Sequence, residues 1–583
     1  MLLSAASSGN ISLLLIEGSV TAIAAAAAFA FPRLGAATFS RIERSLRSLS
    51  RRRTLSVLAV GISTLLLRLA ILPFSPIPLP SSPNDFSFLL SADTFAHGRL
   101  ANSTPVMWPH FESIHISVRP TYGSMYFPGQ GLILAAGQVF FSHPWFGLLI
   151  VSALMCSAIC WMLQAWLPPG WALLGGILAM LRLGLFSYWI NTYTGGGLIL
   201  ALGGALVLGS LPRLMRTARL RFGLLMAAGI VLLLLTRPYE GMLLCIPVAI
   251  ALGRWMLRGK RRPSPQILLR RAALPLALVA AALAWLGYYD YRAFGSPLTL
   301  PYAVNRSAYA TAPYFFWQSP RHDIVYRNPE MRKFYTENEL DYFNKIRNPA
   351  TFLPYTIGKA YGIFQFFAGA ALCLPLIMLP RIFRDRRIRF LVLSVMLLAA
   401  GLLLEIVIGA HYVAPFTAAF YAIGLQCMRH LRLWSPEGRP VGLALVRISV
   451  LICFFMAGLR LWADPLHLSP PQWPPSQWNY QWYGPAHFGL ERARIAAQLQ
   501  SFQGKQLVIV RYSANHNPQD EWVYNAADID DSRVVWAREL DPASNLDLIQ
   551  YYRDRKPWLV APDAATPVAL PYAIPEPSSA AVH

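Results

Sequence analysis

Ser82-Pro83-Asn84-Asp85-Phe86-Ser87-Phe88-Leu89-Leu90-Ser91-Ala92-Asp93-Thr94-Phe95-Ala96-His97-Gly98-Arg99 lies between two long apolar runs, 54 to 74 and 144 to 166. Each run offers the roughly 20 residues that a membrane-crossing helix needs. The quoted stretch is not itself a span. Pro83 stands at the first helical position behind Ser82, and Gly98 can cap the far end, so the segment is predicted as a short amphipathic helix. Asp85 and Asp93 are eight residues apart, about 80° around such a helix, so both can face one cavity. Two readings of Asp85 stay open. Ser82-x-x-Asp85 has the form of a capping box, which makes Asp85 structural; in the other reading it presents a carboxylate for chemistry at the membrane boundary. Asp93 is open between an ordinary polar face position and a site residue.

Outward from this segment, composition fixes the class. Of 583 residues, 55% are hydrophobic and only 14% charged, and mean hydropathy is +0.41. A string of soluble domains is excluded, and a polytopic membrane protein is expected. Lys+Arg total 51 against 28 Asp+Glu, a formal net charge of +23. These basic residues recur as short clusters between apolar runs rather than as one soluble patch, which argues against a nucleic-acid partner. All six cysteines lie in apolar segments, which excludes disulfides and Cys-based metal sites. No Lys or Arg precedes Arg33, so the start lacks the basic region of a signal peptide. Arg33, Arg41, Arg44, Arg47, Arg51, Arg52 and Arg53 follow the first apolar run, which predicts a cytoplasmic 33 to 53 loop and an outer N-terminus.

Twelve spans are predicted: near 11 to 31, 54 to 74, 144 to 166, 170 to 189, 195 to 212, 221 to 237, 239 to 257, 272 to 290, 352 to 379, 388 to 408, 411 to 428 and 441 to 462. The apolar stretch 128 to 141 is short and carries Gln130 and Gln138. If it crossed, the clusters at 213 to 221, 254 to 262, 381 to 389 and 429 to 439 would all move to the outer side, so it is read as juxtamembrane. The expected fold is an all-α polytopic membrane protein of about 12 transmembrane helices, with juxtamembrane helices and a small C-terminal α/β domain outside the cytoplasm. Its parts are an extra helix and basic loop at 1–53, a transmembrane domain at 54–463 with outer loops 75–143 and 291–351, and an accessory domain at 464–583. A Pro- and Trp-rich linker, Pro470 to Trp482, opens that tail. Helices near 491 to 502 and 545 to 555 and strands at 506 to 512, 533 to 537 and 558 to 561 follow, without a Gly-rich phosphate loop. Asp528, Asp530 and Asp531 read as a solvated turn.

Candidate site residues gather at the predicted outer ends. Arg119 and Arg237 are basic residues in apolar or aromatic settings, able to hold an anion or to snorkel to the interface. Lys359, in Tyr355-Thr356-Ile357-Gly358-Lys359, is an intramembrane cation and needs a partner. Asn191, Glu240, Glu405 and His411 mark other outer span ends. Glu112 with His110 and His115 offers ligand types for a metal, and loop polarity accounts for the same residues equally well. The aromatics of loop 291–351, such as Tyr302, Tyr309, Tyr314 and Trp317, could stack on a sugar or anchor the loop at the headgroups.

The acidic helix after a span, followed by the Pro-led Tyr126-Phe127-Pro128-Gly129-Gln130-Gly131-Leu132, resembles the GT-C membrane glycosyltransferases, among them the protein O-mannosyltransferases and the lipid A aminoarabinose transferases. Their acidic motif is usually Asp-Glu; here it is Asn84-Asp85, and Phe127 replaces the basic residue that often precedes the Pro. The resemblance covers topology from about 54 to 462. It implies transfer of a sugar from a polyprenyl-phosphate-linked donor to a lipid, glycan or protein acceptor at the outer face of the cytoplasmic membrane. Asp85 and Asp93 are the catalytic candidates, and Arg119, Arg237, Glu240, Lys359 and His411 the substrate-binding ones. A divalent ion, Mg or Mn, is the cofactor such chemistry could take, with Asp85 and Glu112 as candidate ligands. The rival readings are a multi-pass transporter or lipid flippase, for which the sequence lacks an internal repeat, and an inactive scaffold of envelope assembly.

Overall fold

The computed structural model describes residues 13–258, 264–463, 465–468 and 489–573. The linker 470 to 482 and the basic residues 260 to 262 lie outside them. Seven helices are long and apolar enough to cross a membrane: Leu13–Ala30, Arg53–Ala70, Trp145–Trp166, Gly197–Thr217, Pro238–Arg258, Pro265–Phe294 and Val441–Leu461. Three shorter apolar helices, Pro169–Gly184, Leu220–Thr236 and Arg389–Leu402, accompany them. The remaining expected runs contain Pro349–Phe367, followed by a tight turn at Leu374–Met378, and Thr417–Leu431. Helix length and apolarity thus mark seven crossings among the described residues, not twelve. The difference arises where runs are broken: 170 to 189 is continuous in hydropathy but its helix ends at Gly184, after a widened π-helical turn at Met180–Gly184, and restarts at Tyr188–Asn191.

Helices Trp145–Trp166 and Gly197–Thr217 form the buried centre, while Pro265–Phe294 runs along the periphery. Gly203 and Gly229 let Gly197–Thr217 and Leu220–Thr236 meet backbone to backbone: a Cβ on Gly229 would stand 2.6 Å from the Gly203 carbonyl oxygen. Apolar side chains gain little from packing against each other rather than against lipid, so such close approach is what joins these helices.

The 128 to 141 stretch is the 14-residue helix Pro128–Phe141, about 21 Å long and short of a hydrocarbon core of roughly 30 Å. Its two glutamines point into protein: Gln130 donates to the Tyr193 carbonyl at 3.0 Å and Gln138 to Asp93 at 3.1 Å. Phe140 and Phe141 remain exposed.

Basic residues collect at one end of the bundle. Arg447 pairs with Glu43 at 2.9 Å, Arg439 donates to the carbonyls of Phe29 and Ala30, and Arg213 neighbours Arg53, Arg216 and Arg221. The other end carries the two long loops and a C-terminal sheet. In the first loop β1 (Ile116–Ser117) pairs antiparallel with β2 (Gly123–Ser124). The C-terminal sheet contains β3 (Lys505–Val510), β4 (Val534–Arg538), β5 (Arg555–Val560) and β6 (Ala569–Pro571) in the order β4-β3-β5-β6. β3 runs parallel to both neighbours, and β6 is antiparallel to β5. The first three match the expected strands; β6, three residues long, carries too little pattern to read. Asp530 accepts from the hydroxyls of Tyr551 and Tyr552, which gives the acidic turn a structural role.

This sheet is docked, not tethered. Leu90, Phe111, Ile116 and Tyr122 of the first loop share one apolar cluster with Leu507, Ile509 and Val535. Around it Ser113 donates to Glu521 at 2.8 Å, the Tyr122 hydroxyl to the Asn525 carbonyl at 3.1 Å, and Arg538 pairs with Glu330 of the second loop at 2.9 Å.

Candidate active site

Where the two loops, the C-terminal sheet and the helix ends meet, they enclose a cavity of about 2380 Å³. The cavity continues along Pro354, Gly358, Gly362 and Ile363 of helix Pro349–Phe367 to Leu13, Leu14 and Glu17 of the first helix. Arg237, Glu240, Lys359 and His411, each at a predicted span end, all line it. Arg237 caps helix Leu220–Thr236 and Glu240 sits in the first turn of Pro238–Arg258, so the chain's own turn brings them together. Their side chains pair at 2.5 Å, and the Arg237 guanidinium lies 3.7 Å from the Tyr412 ring centroid. Lys359 donates to the Ile406 carbonyl at 3.1 Å and lies over the Tyr355 ring. The Tyr188 hydroxyl accepts from the His411 backbone N–H at 3.1 Å and stands 2.7 Å from His411 Nδ1.

Asp85 stands beside the cavity and is not part of its lining. The capping box expected from Ser82-x-x-Asp85 is present: the Ser82 hydroxyl accepts the Asp85 N–H, and the Asp85 carboxylate accepts the Ser82 N–H. Its other oxygen accepts the Tyr193 N–H and the Thr194 hydroxyl, both at 3.0 Å. With 2% of its surface exposed, the carboxyl is pushed above its ordinary range by burial, against the pull of these donors. Asp85 therefore pins the loop Thr192-Tyr193-Thr194-Gly195-Gly196. That loop needs its glycines: Gly195 has φ +87, and a Cβ there would meet the His411 ring at 2.8 Å. The residue of the acidic pair that does line the cavity is Asn84, whose side-chain oxygen accepts from the Tyr126 hydroxyl.

Asp93 and Arg119 lie elsewhere. Asp93 accepts the Ala527 N–H at 2.7 Å and Gln138 at 3.1 Å, joining its helix to the C-terminal sheet. Arg119 stacks 4.0 Å from the Trp108 ring centroid. Glu112 is buried, accepts from Tyr309 and Asn328 at 3.1 Å each, and has its pKa raised by that burial. Asp85 and Glu112 are thus surrounded by N–H and O–H donors, a setting that does not fit a metal ion. Among the described residues no group of three His, Cys, Asp or Glu side chains converges to hold a metal.

Other groups line the cavity: Tyr302 and Tyr314 are among the loop aromatics expected to stack or anchor and His115 among the loop ligand types, while the sequence does not single out Arg306, Arg492, Asn517, Asp520 and Asp563. Tyr126, Tyr302 and Tyr314 form an edge-to-face series with centroids 5.6 Å apart at each step. Arg306 pairs with Glu339 at 2.8 Å and lies over Tyr314. His115, with φ +65, has its pKa lowered to about 3, first by burial and then by Arg306. Arg492, Asn517, Asp520 and Asp563 bring the C-terminal region into the wall. The run Thr194-Gly195-Gly196-Gly197 was the signal available for the loop that Asp85 holds.

No family model matches the chain, and no curated protein does. Solved structures do. ArnT from Cupriavidus metallidurans in the apo state is 12% identical, with 86% of this chain and 93% of that one covered at a TM-score of 0.47. The same protein bound to undecaprenyl phosphate is 13% identical, with 87% and 92% covered at 0.45. The Archaeoglobus fulgidus oligosaccharyltransferase in the apo form is 12% identical, with 79% of this chain covered at 0.40; the match spans 62% of that chain.

Proposed function

We propose that the chain transfers a sugar from a polyprenyl-phosphate-linked donor to an acceptor at the outer face of the cytoplasmic membrane, within the cavity described above. The observation that carries this reading is the presence in that one cavity of two fixed cations, Arg237 paired with Glu240 and stacked on Tyr412, and Lys359 held by the Ile406 carbonyl and the Tyr355 ring. Sugar transfer from such a donor leaves a lipid phosphate that gains charge as the glycosidic bond breaks, and fixed cations in a secluded site stabilise that charge. Arg237, oriented by Glu240 and Tyr412, and Lys359, oriented by the Ile406 carbonyl, supply them. The apolar extension along Gly358, Gly362, Ile363 and Leu13 suits a polyprenyl chain. Tyr126, Tyr302 and Tyr314 offer ring faces and hydroxyls to a sugar. In this reading Asp85 acts as a positioning residue, holding the 192–196 loop against His411.

The test is binding of undecaprenyl phosphate to the purified protein, with Arg237→Ala and Lys359→Ala each weakening it at least about tenfold. Envelope glycans compared by mass spectrometry with and without the gene then identify the product. Failure of the wild type to bind the lipid phosphate overturns the reading. Sidedness has its own check. Cysteines at Ser103 and Asp554 should react with an impermeant thiol reagent in intact cells, while cysteines at Ser48 and Arg386 should not.

A further inference from the structure

Every carboxylate but one along the cavity wall is committed to a partner. Glu17 accepts from Arg182 and from the Ala371 N–H, Glu240 pairs with Arg237, Glu339 with Arg306 and Glu491 with Arg494. Asp520 accepts from the Trp522 ring N–H, and Asp563 from Ser513 and His516. The remaining one, Glu405, lines the cavity with 9% of its surface exposed, and no described residue donates a hydrogen bond to its side chain. Its backbone is fixed all the same. Phe315 bridges to Glu405, the Phe316 N–H donates to Leu404 and the Ile406 N–H to Tyr314, so the segment after helix Arg389–Leu402 is clamped to the second loop. The charges of Arg237, Lys359 and Glu240 act directly on it.

We propose that Glu405 is the catalytic carboxylate that takes the acceptor's proton, an assignment that deepens the sugar-transfer reading and rests on it. A base needs an available lone pair facing the substrate and a backbone that holds it still, and Glu405 combines both. In the step, the acceptor oxygen forms its bond to the anomeric carbon. The bond from that carbon to the phosphate oxygen breaks, and its electron pair stays with the polyprenyl phosphate beside Arg237 and Lys359. The acceptor's proton passes to Glu405. Atoms and charge balance without a co-reactant.

The experiment compares wild type, Glu405→Gln and Glu405→Asp as full-length protein in detergent. Binding is read with undecaprenyl phosphate. Turnover is read by mass spectrometry, with total lipid extract of the producing cells as donor source and their envelope glycans as acceptor. Glu405→Gln should bind the lipid phosphate as tightly as wild type, since Gln keeps the side chain's size and leaves both cations in place. Its turnover should fall about 10²- to 10⁴-fold, and Glu405→Asp should recover part of it. Turnover by Glu405→Gln within tenfold of wild type overturns the assignment. Loss of turnover together with loss of lipid binding also overturns it, because that is the mark of a structural role. A wild type that binds no undecaprenyl phosphate overturns the sugar-transfer reading itself, a different result from either.

Discussion

Asp85 in the helix Pro83–Ala96 and Glu405 in the segment after Arg389–Leu402 are both buried carboxylates at the loop-bearing end, yet their surroundings are opposite. Asp85 accepts hydrogen bonds at both oxygens from Ser82, Tyr193 and Thr194, while Glu405 lines the cavity and its side chain accepts no hydrogen bond from any described residue, only the fields of Arg237, Lys359 and Glu240 acting on it. Burial disfavours the charge of either, but only the first is compensated by fixed donors. A carboxylate held that way is a good strut and a poor base, because proton uptake has to break the contacts that keep it in place. The contrast teaches that acidity near a cavity is not the same as acidity presented to it.

The largest effect expected from disturbing this arrangement is at Arg237. Arg237→Ala leaves Glu240 buried beside no counter-charge, and breaking such a pair costs about 3–5 kcal/mol. Thermal unfolding in detergent should show a clear loss of stability, and Arg237→Lys should recover only part of it, since Lys lacks the planar fork that stacks on Tyr412. Asp85 comes next and tests the comparison head-on. Asp85→Ala removes an N-cap partner and strands the donors of Tyr193 and Thr194, a cost of about 1–3 kcal/mol, whereas Asp85→Asn keeps an acceptor oxygen and should leave turnover within a few-fold. A loss of 10² or more in a well-folded Asp85→Asn protein would invert the roles given to the two carboxylates.

Asp93→Ala sharpens the view that the C-terminal sheet is docked through the first loop. It removes the acceptor of the Ala527 N–H and should cost about 1 kcal/mol, with faster amide exchange at Ala527 as the readout. At neutral pH the smallest effect is that of His115, which shows only in acid. His115 has its pKa depressed from 6.5 to about 3 in the fold, so the folded state favours the neutral ring. That contribution to stability is present above pH 6.5 and is lost progressively as pH falls from 6.5 towards 3. His115→Gln should flatten the unfolding midpoint across that window while wild type declines.

Much of the fold was legible because its signals are local. Ser82, Pro83 and Gly98 announce the acidic helix, and the structure places it at Pro83–Ala96 with the capping box formed. The shortness and glutamines of 128–141 announce a helix too short for a span, and the structure gives it 14 residues. Hydropathy could not show that 170 to 189 breaks after Gly184, because a turn among apolar residues leaves their composition unchanged. Of the expected site residues, Arg237, Glu240, Lys359 and His411 converge. Their types were readable from intramembrane charge, but their meeting was not, since they come from three segments of the chain up to 174 residues apart. Asp93 and Arg119 looked equally suitable in sequence and are occupied by the C-terminal region and by Trp108.

The sequence by itself determined that this chain is a bundle of apolar helices with basic residues at one end, acidic and aromatic loops at the other, and a small α/β region behind them. Those properties follow from hydropathy, charge spacing and caps, which act over a few residues. Only the tertiary structure decided which of two adjacent residues faces the cavity. Asn84 and Asp85 are about 100° apart on their helix, so a rotation that presents one withdraws the other. That rotation is set by the 192–196 loop and the helix Pro128–Phe141 packed against it. The same long-range packing withholds donors from Glu405 while it satisfies every other acid around the cavity, and no local pattern in the chain carries that information.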